Sequence, residues 1–209
     1  MIPSEGRKCT IWIRMHILLF AALALMAPIV SPAQEHLGKT LAQWRADLDK
    51  PSQIDRLLAI RSIGEMAIGQ QPGAAEALFE SIGHEDGSVR YWAAVAAIHL
   101  SDLGGDAQAL LTEALRDPVP EVRVQAARAL VGTTAEPEAL RTLGELLSHR
   151  NRGVRLQAVH AADAIKGRAA PLVRQLQAAM EDEFDYVQRV ARHALWTLEQ
   201  RPCPYRECE

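Results

Sequence analysis

Histidine is the residue type in this chain with the widest chemical range, serving elsewhere as metal ligand, general base or proton donor. Its spacing here supports none of these. His36, His84, His99, His149, His160 and His193 lie beyond the N-terminal segment, and no two of them form an HExxH or HxH pair. A zinc ion needs such ligands gathered on one helix face or one strand edge. His84 and His149 stand in equivalent turns and read as surface residues, so no metal site is expected. Cys203 and Cys208 lie in the tail 201–209, without a second cysteine pair or a histidine motif beside them. A disulfide closing a small terminal loop is one reading, and two free thiols on a frayed end are the other. No glycine-rich phosphate loop, nucleophile elbow or glycosidase-like carboxylate pair is present. No catalytic constellation and no cofactor are expected.

The arginines carry the pattern instead. Val89-Arg90-Tyr91-Trp92-Ala93-Ala94, Val122-Arg123-Val124-Gln125-Ala126-Ala127, Val154-Arg155-Leu156-Gln157-Ala158-Val159 and Val187-Gln188-Arg189-Val190-Ala191-Arg192 are versions of one segment, with a degenerate copy at Asp55-Arg56-Leu57-Leu58-Ala59-Ile60. Arg56, Arg90, Arg123, Arg155 and Gln188 at the second place are 34, 33, 32 and 33 residues apart. A cation in a helix's first turn faces the positive end of the macrodipole, a cost of about a few tenths of a kcal/mol. Its recurrence predicts a carboxylate partner. Asp86, Asp117 and Asp182 in the matching turns would form with Arg90, Arg123 and Arg155 a ladder pinning each turn to its helix, in a bidentate geometry that lysine would not reproduce.

A period in this range requires stacked supersecondary units, because one unit cannot bury its apolar face alone. Each unit reads as two antiparallel helices. Ala107 to Leu115 carries Ala109, Leu110, Leu111 and Leu115 at helical spacing, Arg116-Asp117-Pro118 breaks it, and a second helix follows from Glu121 to about Val131. Pro137 and Pro171 open the first helices of the next two units, where a first-turn proline is tolerated. Ala93, Ala126, Ala158 and Ala191 share one place, and Ala96, Ala129, Ala161 and Ala194 another three residues on. Small side chains there let second helices approach at the short end of the usual 8–10 Å range. The fold class is therefore all-α, a solenoid of about five antiparallel helix pairs. Trp44 and Trp196, near its two ends, read as caps over the terminal units' exposed apolar faces.

Three segments follow along the chain. Residues 1–33 read as a secretory signal: Arg7, Lys8 and Arg14 precede an apolar run from Ile17 to Met26 that extends to Val30, and Ser31-Pro32-Ala33 supplies small residues for cleavage. Met15 offers an alternative start. The apolar run falls short of the ~20 residues a comfortable membrane span needs. Residues 34–200 form the solenoid, and 201–209 the cysteine-bearing tail. Loss of the signal would leave 20 basic and 25 acidic residues, a net charge of −5. An acidic exported chain without a lysine- or arginine-rich run is a poor nucleic-acid binder, and no membrane association is expected after cleavage. The expected location is outside the cytoplasm, periplasmic or secreted.

Asp117-Pro118-Val119-Pro120-Glu121-Val122-Arg123 followed by Ala126-Ala127-Arg128-Ala129-Leu130 resembles a bacterial HEAT repeat of the bilin-lyase-like type, over roughly residues 38 to 199. More narrowly, Val89 to Ala94 and the stretch from Asp182 to Ala191 are similar to HEAT arrays that follow sulfatase domains in environmental bacteria. The opening Gly38 to Trp44 resembles the first segment of exported HEAT proteins. A sulfatase would need a C-x-P-x-R or S-x-P-x-R nucleophile, and Cys203-Pro204-Tyr205-Arg206 has the wrong spacing. Export argues against the bilin-lyase role. In HEAT arrays the second helices line the concave side, so the resemblance implies a binding strip there. Its columns are Leu58, Trp92, Gln125, Gln157 and Val190, and Arg61, Val95, Arg128, His160 and His193, one helical turn apart. Trp92, Gln125, Arg128, Gln157, His160 and His193 are the candidate contacts, suited to a protein partner or to an anionic glycan; ordinary surface, with Trp92 packed on its neighbour, is the alternative. The function implied is a non-enzymatic scaffold binding another protein. Its rival is an accessory or divergent part of a sulfatase-type polysaccharide-degrading system, with Asp163 as a candidate acid.

Overall fold

The computed structural model describes residues 35–100, 102–134 and 136–199; the signal-like segment 1–33 and the tail with Cys203 and Cys208 lie outside the described residues. A two-residue antiparallel ribbon, β1 (Glu35–His36) with β2 (Lys39–Thr40), leads into α1 (Leu41–Asp47). Leu37 and Gly38 reverse the ribbon at φ 53° and 75°. Thr40 then caps α1 reciprocally with Gln43, the serine/threonine-to-glutamine capping box. α2 (Gln53–Ile68) completes the first pair, entered through the Ser52 side-chain cap.

Four further pairs follow. α3 (Ala74–Glu80) runs into a 3-10 turn, Ser81–Gly83, and packs with α4 (Gly87–Ala97). α5 (Gly105–Ala114) pairs with α6 (Pro120–Leu130), whose first residue is the proline that needs no N–H there. α7 (Glu136–Leu146) pairs with α8 (Arg152–Ala164), and α9 (Val173–Ala179) with α10 (Asp185–Leu198). The last pair departs from expectation: Pro171 does not open the α-helix but sits inside a 3-10 stretch, Lys166–Leu172. Proline removes the N–H that an α-turn would use and its ring crowds the carbonyl four residues back. Regular α-helix begins only at Val173.

The second helices α2, α4, α6, α8 and α10 pack on one another in order and make a continuous layer. Alanine is the reason. Ala93, Ala126, Ala158 and Ala191 are wholly buried at one place of the seam, with Ala96, Ala129, Ala161 and Ala194 also buried one turn on. In α2 the approach is closer still: a Cβ on Gly64 would lie 2.9 Å from the Ala96 Cβ. Ile60, Ile63, Leu78, Leu111, Leu130, Leu143 and Leu176 fill the space between the layers in one core. Trp44 closes the first end: only 5% exposed, its indole donates to the His36 carbonyl at 2.9 Å, and the Lys39 ammonium lies 4.3 Å from the ring centroid. Among the described residues no helix is long and apolar enough to cross a membrane.

Candidate functional site: the second-helix face and its turns

Asp86, Asp117, Asn151 and Asp182 occupy one place in four successive turns. Each Oδ1 accepts the N–H two residues on, from Ser88, Val119, Gly153 and Phe184, all at 2.8 Å. The arginine bound to each aspartate comes from the preceding unit, which corrects the expected pairing within one unit. Arg56 Nε donates to Asp86 at 2.8 Å, Arg90 Nε to Asp117 at 2.6 Å and Arg155 Nε to Asp182 at 2.6 Å. Arg90 and Arg155 add a second bond from Nη2, at 3.0 Å in both cases. The remaining Nη1 turns back onto the arginine's own turn, to the carbonyls of Lys50 and Pro51, of His84 and Glu85, and of His149 and Arg150. One guanidinium thus spends its donors on two units, which the fork geometry allows and an ammonium would not.

Arg123 breaks the series. Its turn of the ladder meets Asn151 rather than an aspartate, and its Nε is buried with no hydrogen-bond partner among the described residues. The Asn151 carbonyl oxygen is already taken by the Gly153 N–H. By the register of the other steps, the amide NH2 takes the place of the second carboxylate oxygen, and an NH2 group cannot accept from a guanidinium. At the last unit Gln188 replaces the arginine and caps the Asp182 carbonyl at 2.6 Å. The bond from Arg155 holds the Asp182 carboxyl below its ordinary value against the opposing effect of burial. Burial pushes Asp86 up, but the Ser88 N–H and Arg56 outweigh it and the net shift is downward. Arg90 and Arg155 are pushed up in turn by Asp117 and Asp182.

On the outer surface of the second helices, Trp92 and Tyr91 form an edge-to-face pair with centroids 5.5 Å apart. The Arg61 guanidinium lies 5.1 Å from the Trp92 centroid. These rings floor a groove of about 510 Å³ lined also by Leu57, Asp86, Val119, Glu121 and Gln157, so that residues of four successive units meet in it. Gln125 Nε2 donates to Gln157 Oε1 at 3.3 Å, joining α6 to α8 at the same register. Burial raises the Tyr91 hydroxyl pKa, Glu121 adds to the rise, and Arg128 opposes it. Trp92 and Gln157 are therefore brought to one groove, with Gln125 joined to it through Gln157.

His160 and His193, the other two members of the strip, do not line that groove. His160 is exposed one turn beyond Gln157. His193 is held by Asp163, Nδ1 to Oδ1 at 2.7 Å, with its ring 5.7 Å from Trp196. Asp163 is thereby a partner of His193, and no group of three or more His, Cys, Asp or Glu that could hold a metal occurs among the described residues. Sequence reasoning placed Arg61 in the second column without singling it out, and passed over Tyr91 and Glu121. Arg61 stands one place-six step before the aromatic pair, which is the signal that could have found it. A larger groove, about 840 Å³, opens on the first-helix side between α7 and the 3-10 stretch, where Gln175 Oε1 is buried without a partner among the described residues.

Comparison with curated proteins gives no match. Among solved structures, the chain is similar to the complex of CpcE and CpcF of phycocyanin lyase from Nostoc sp. PCC7120, at 23% identity and TM-score 0.60, over 83% of this chain and 70% of that one. It is also similar to a designed armadillo repeat protein in complex with the peptide (KR)4, at 20% identity and TM-score 0.54, over 93% of this chain and 95% of the other. An engineered protein matches at 20% identity and TM-score 0.54 over 77% and 79%. These likenesses concern the fold. HEAT repeats match residues 41–130 and 107–196, so the two spans together cover most of the chain. The chain belongs to the HEAT-repeat family.

Proposed function

We propose that this protein is an exported, non-catalytic scaffold that binds another protein through its concave face, the one lined by the second helices. The observation that carries the reading is the Trp92 groove. A large aromatic is held half-buried by Tyr91 and Arg61 at the meeting of four units, rather than folded away into the seam. Tryptophan, tyrosine and arginine dominate the energetics of protein interfaces because they give large contact area for little lost freedom. The repeat fold supports the same reading, since stacked units present long continuous surfaces, and the designed armadillo neighbour is a repeat protein with a peptide bound.

Affinity capture from the secreted fraction of the protein's own source tests this, with bound proteins identified by mass spectrometry. A double variant, Trp92→Ala with Arg128→Ala, should lose a specific partner while its helical circular dichroism stays unchanged. Equal capture by the variant would remove the face from consideration. An intact N-terminus on cell-retained protein, rather than cleavage after Ala33, would overturn export. Sulfate release from a polysaccharide panel, abolished by Asp163→Asn, would overturn the non-catalytic part.

A further inference from the structure

The strip's charges are not equivalent. Glu121 lies in the first turn of α6 and Arg128 in its last, so each complements the helix macrodipole. Arg61 lies mid-way along α2, where the dipole offers nothing. It is exposed, makes no ion pair or hydrogen bond among the described residues, and lies 5.1 Å from the Trp92 centroid with its N–H donors unspent. The neighbouring surface of α2 is apolar, with Ile54 71% and Leu58 49% exposed. The amide pair has its own unspent capacity. Among the described residues, one bond between Gln125, itself 8% exposed, and Gln157 leaves one carbonyl oxygen and one NH2 group without a bond, whichever amide donates. An acceptor beside a donor is what one residue of an extended chain requires, since its N–H and C=O point to the same edge.

Resting on the protein-binding reading above, we propose that the strip binds an extended peptide segment of acidic and apolar character. Its backbone pairs with the Gln125–Gln157 amides, an apolar side chain fills the groove over Tyr91 and Trp92, and a neighbouring carboxylate meets Arg61. With helices ~8–10 Å apart, the path from Trp92 to the middle of the amide pair is ~12–15 Å. At ~3.3 Å per residue that is about four extended residues, so an octapeptide covers the whole strip.

Fluorescence anisotropy of the purified protein with fluorescein-labelled (Asp-Leu)4 and (Lys-Leu)4 tests the proposal. The acidic peptide should bind more tightly. Arg61→Ala should weaken it by up to about fivefold, the range of a solvent-exposed ion pair. Arg61→Glu should reverse the preference, and Gln157→Leu should weaken both peptides alike. Among the described residues Arg61 makes no other bond, so its variants should melt like the parent. Absence of saturable binding of (Asp-Leu)4, equal or tighter binding of (Lys-Leu)4, or an acidic preference that survives Arg61→Glu would overturn the proposal. So would a heparin-derived oligosaccharide that displaces the peptide and binds more tightly. Capture of a partner that still depends on Trp92 would then leave the scaffold reading standing while this inference falls.

Discussion

Replacing Asn151 by aspartate should stabilise this protein by completing the arginine ladder. At the three intact steps a carboxylate oxygen accepts from a partly buried guanidinium Nε at 2.6–2.8 Å while its other oxygen holds the turn N–H at 2.8 Å. At the fourth step the turn bond is present but Arg123 Nε is buried and unbonded. Aspartate would keep the first bond and put an acceptor where the amide now presents donors. A hydrogen bond to a charged group contributes about 1.5–3 kcal/mol when well buried, and the exposure of residue 151 reduces this. A gain of about 1 kcal/mol is expected, or about 2–4 °C in melting temperature for a chain of this size. Thermal and urea unfolding measure it. Asparagine and aspartate cap helices about equally, but the negative charge would also favour the N-terminus of α8. The same substitution must therefore be made with Arg123→Gln, a double-mutant cycle that isolates the pair. A gain of equal size in both backgrounds, or a loss with Arg123 present, would refute the ladder argument.

Two further outcomes follow from the packing and the charges. Asp182→Asn should cost stability at neutral pH. Because the folded carboxyl titrates below the ordinary value of 3.8, its contribution is present above that value and disappears as pH falls through the lowered one. The gap in urea midpoint between parent and variant should hold from pH 7 to about 5 and close in stronger acid; a gap unchanged at pH 2 would show that charge is not its source. Gly64→Ala should be destabilising by about 1–3 kcal/mol through overpacking, despite alanine's better helix propensity, because its Cβ would lie 2.9 Å from that of Ala96. Adding Ala96→Gly should recover most of the loss in urea unfolding, and no recovery would mean the contact is not the cause.

The second helices were legible because their signal is repeated. Valine at the head, an arginine after it and two alanines on the buried face recur at nearly constant spacing, and only a stacked array satisfies all copies at once. The strip was legible in register for the same reason, since places three and six of a helix share a face. The last unit was read less well: a proline alone does not reveal whether the turns before it are α or 3-10. Arg61 was passed over because its role depends on a ring 31 residues away in sequence, supplied by the next unit.

The sequence by itself therefore determined the number of units, their helical nature and the alanine seam, all of which follow from composition repeated at one period. Tertiary structure alone decided how the units are joined. Aspartate precedes arginine within a unit by only a few residues, Asp86 before Arg90 and Asp117 before Arg123, so local spacing does not say which arginine it serves, and stacking brings the preceding unit's guanidinium onto it at 2.6–2.8 Å. The orphaned Arg123, the Gln125–Gln157 pair and the Arg61–Trp92 contact arise the same way. Each is a meeting of residues from different units, whose distances are set by helix packing rather than by the chain.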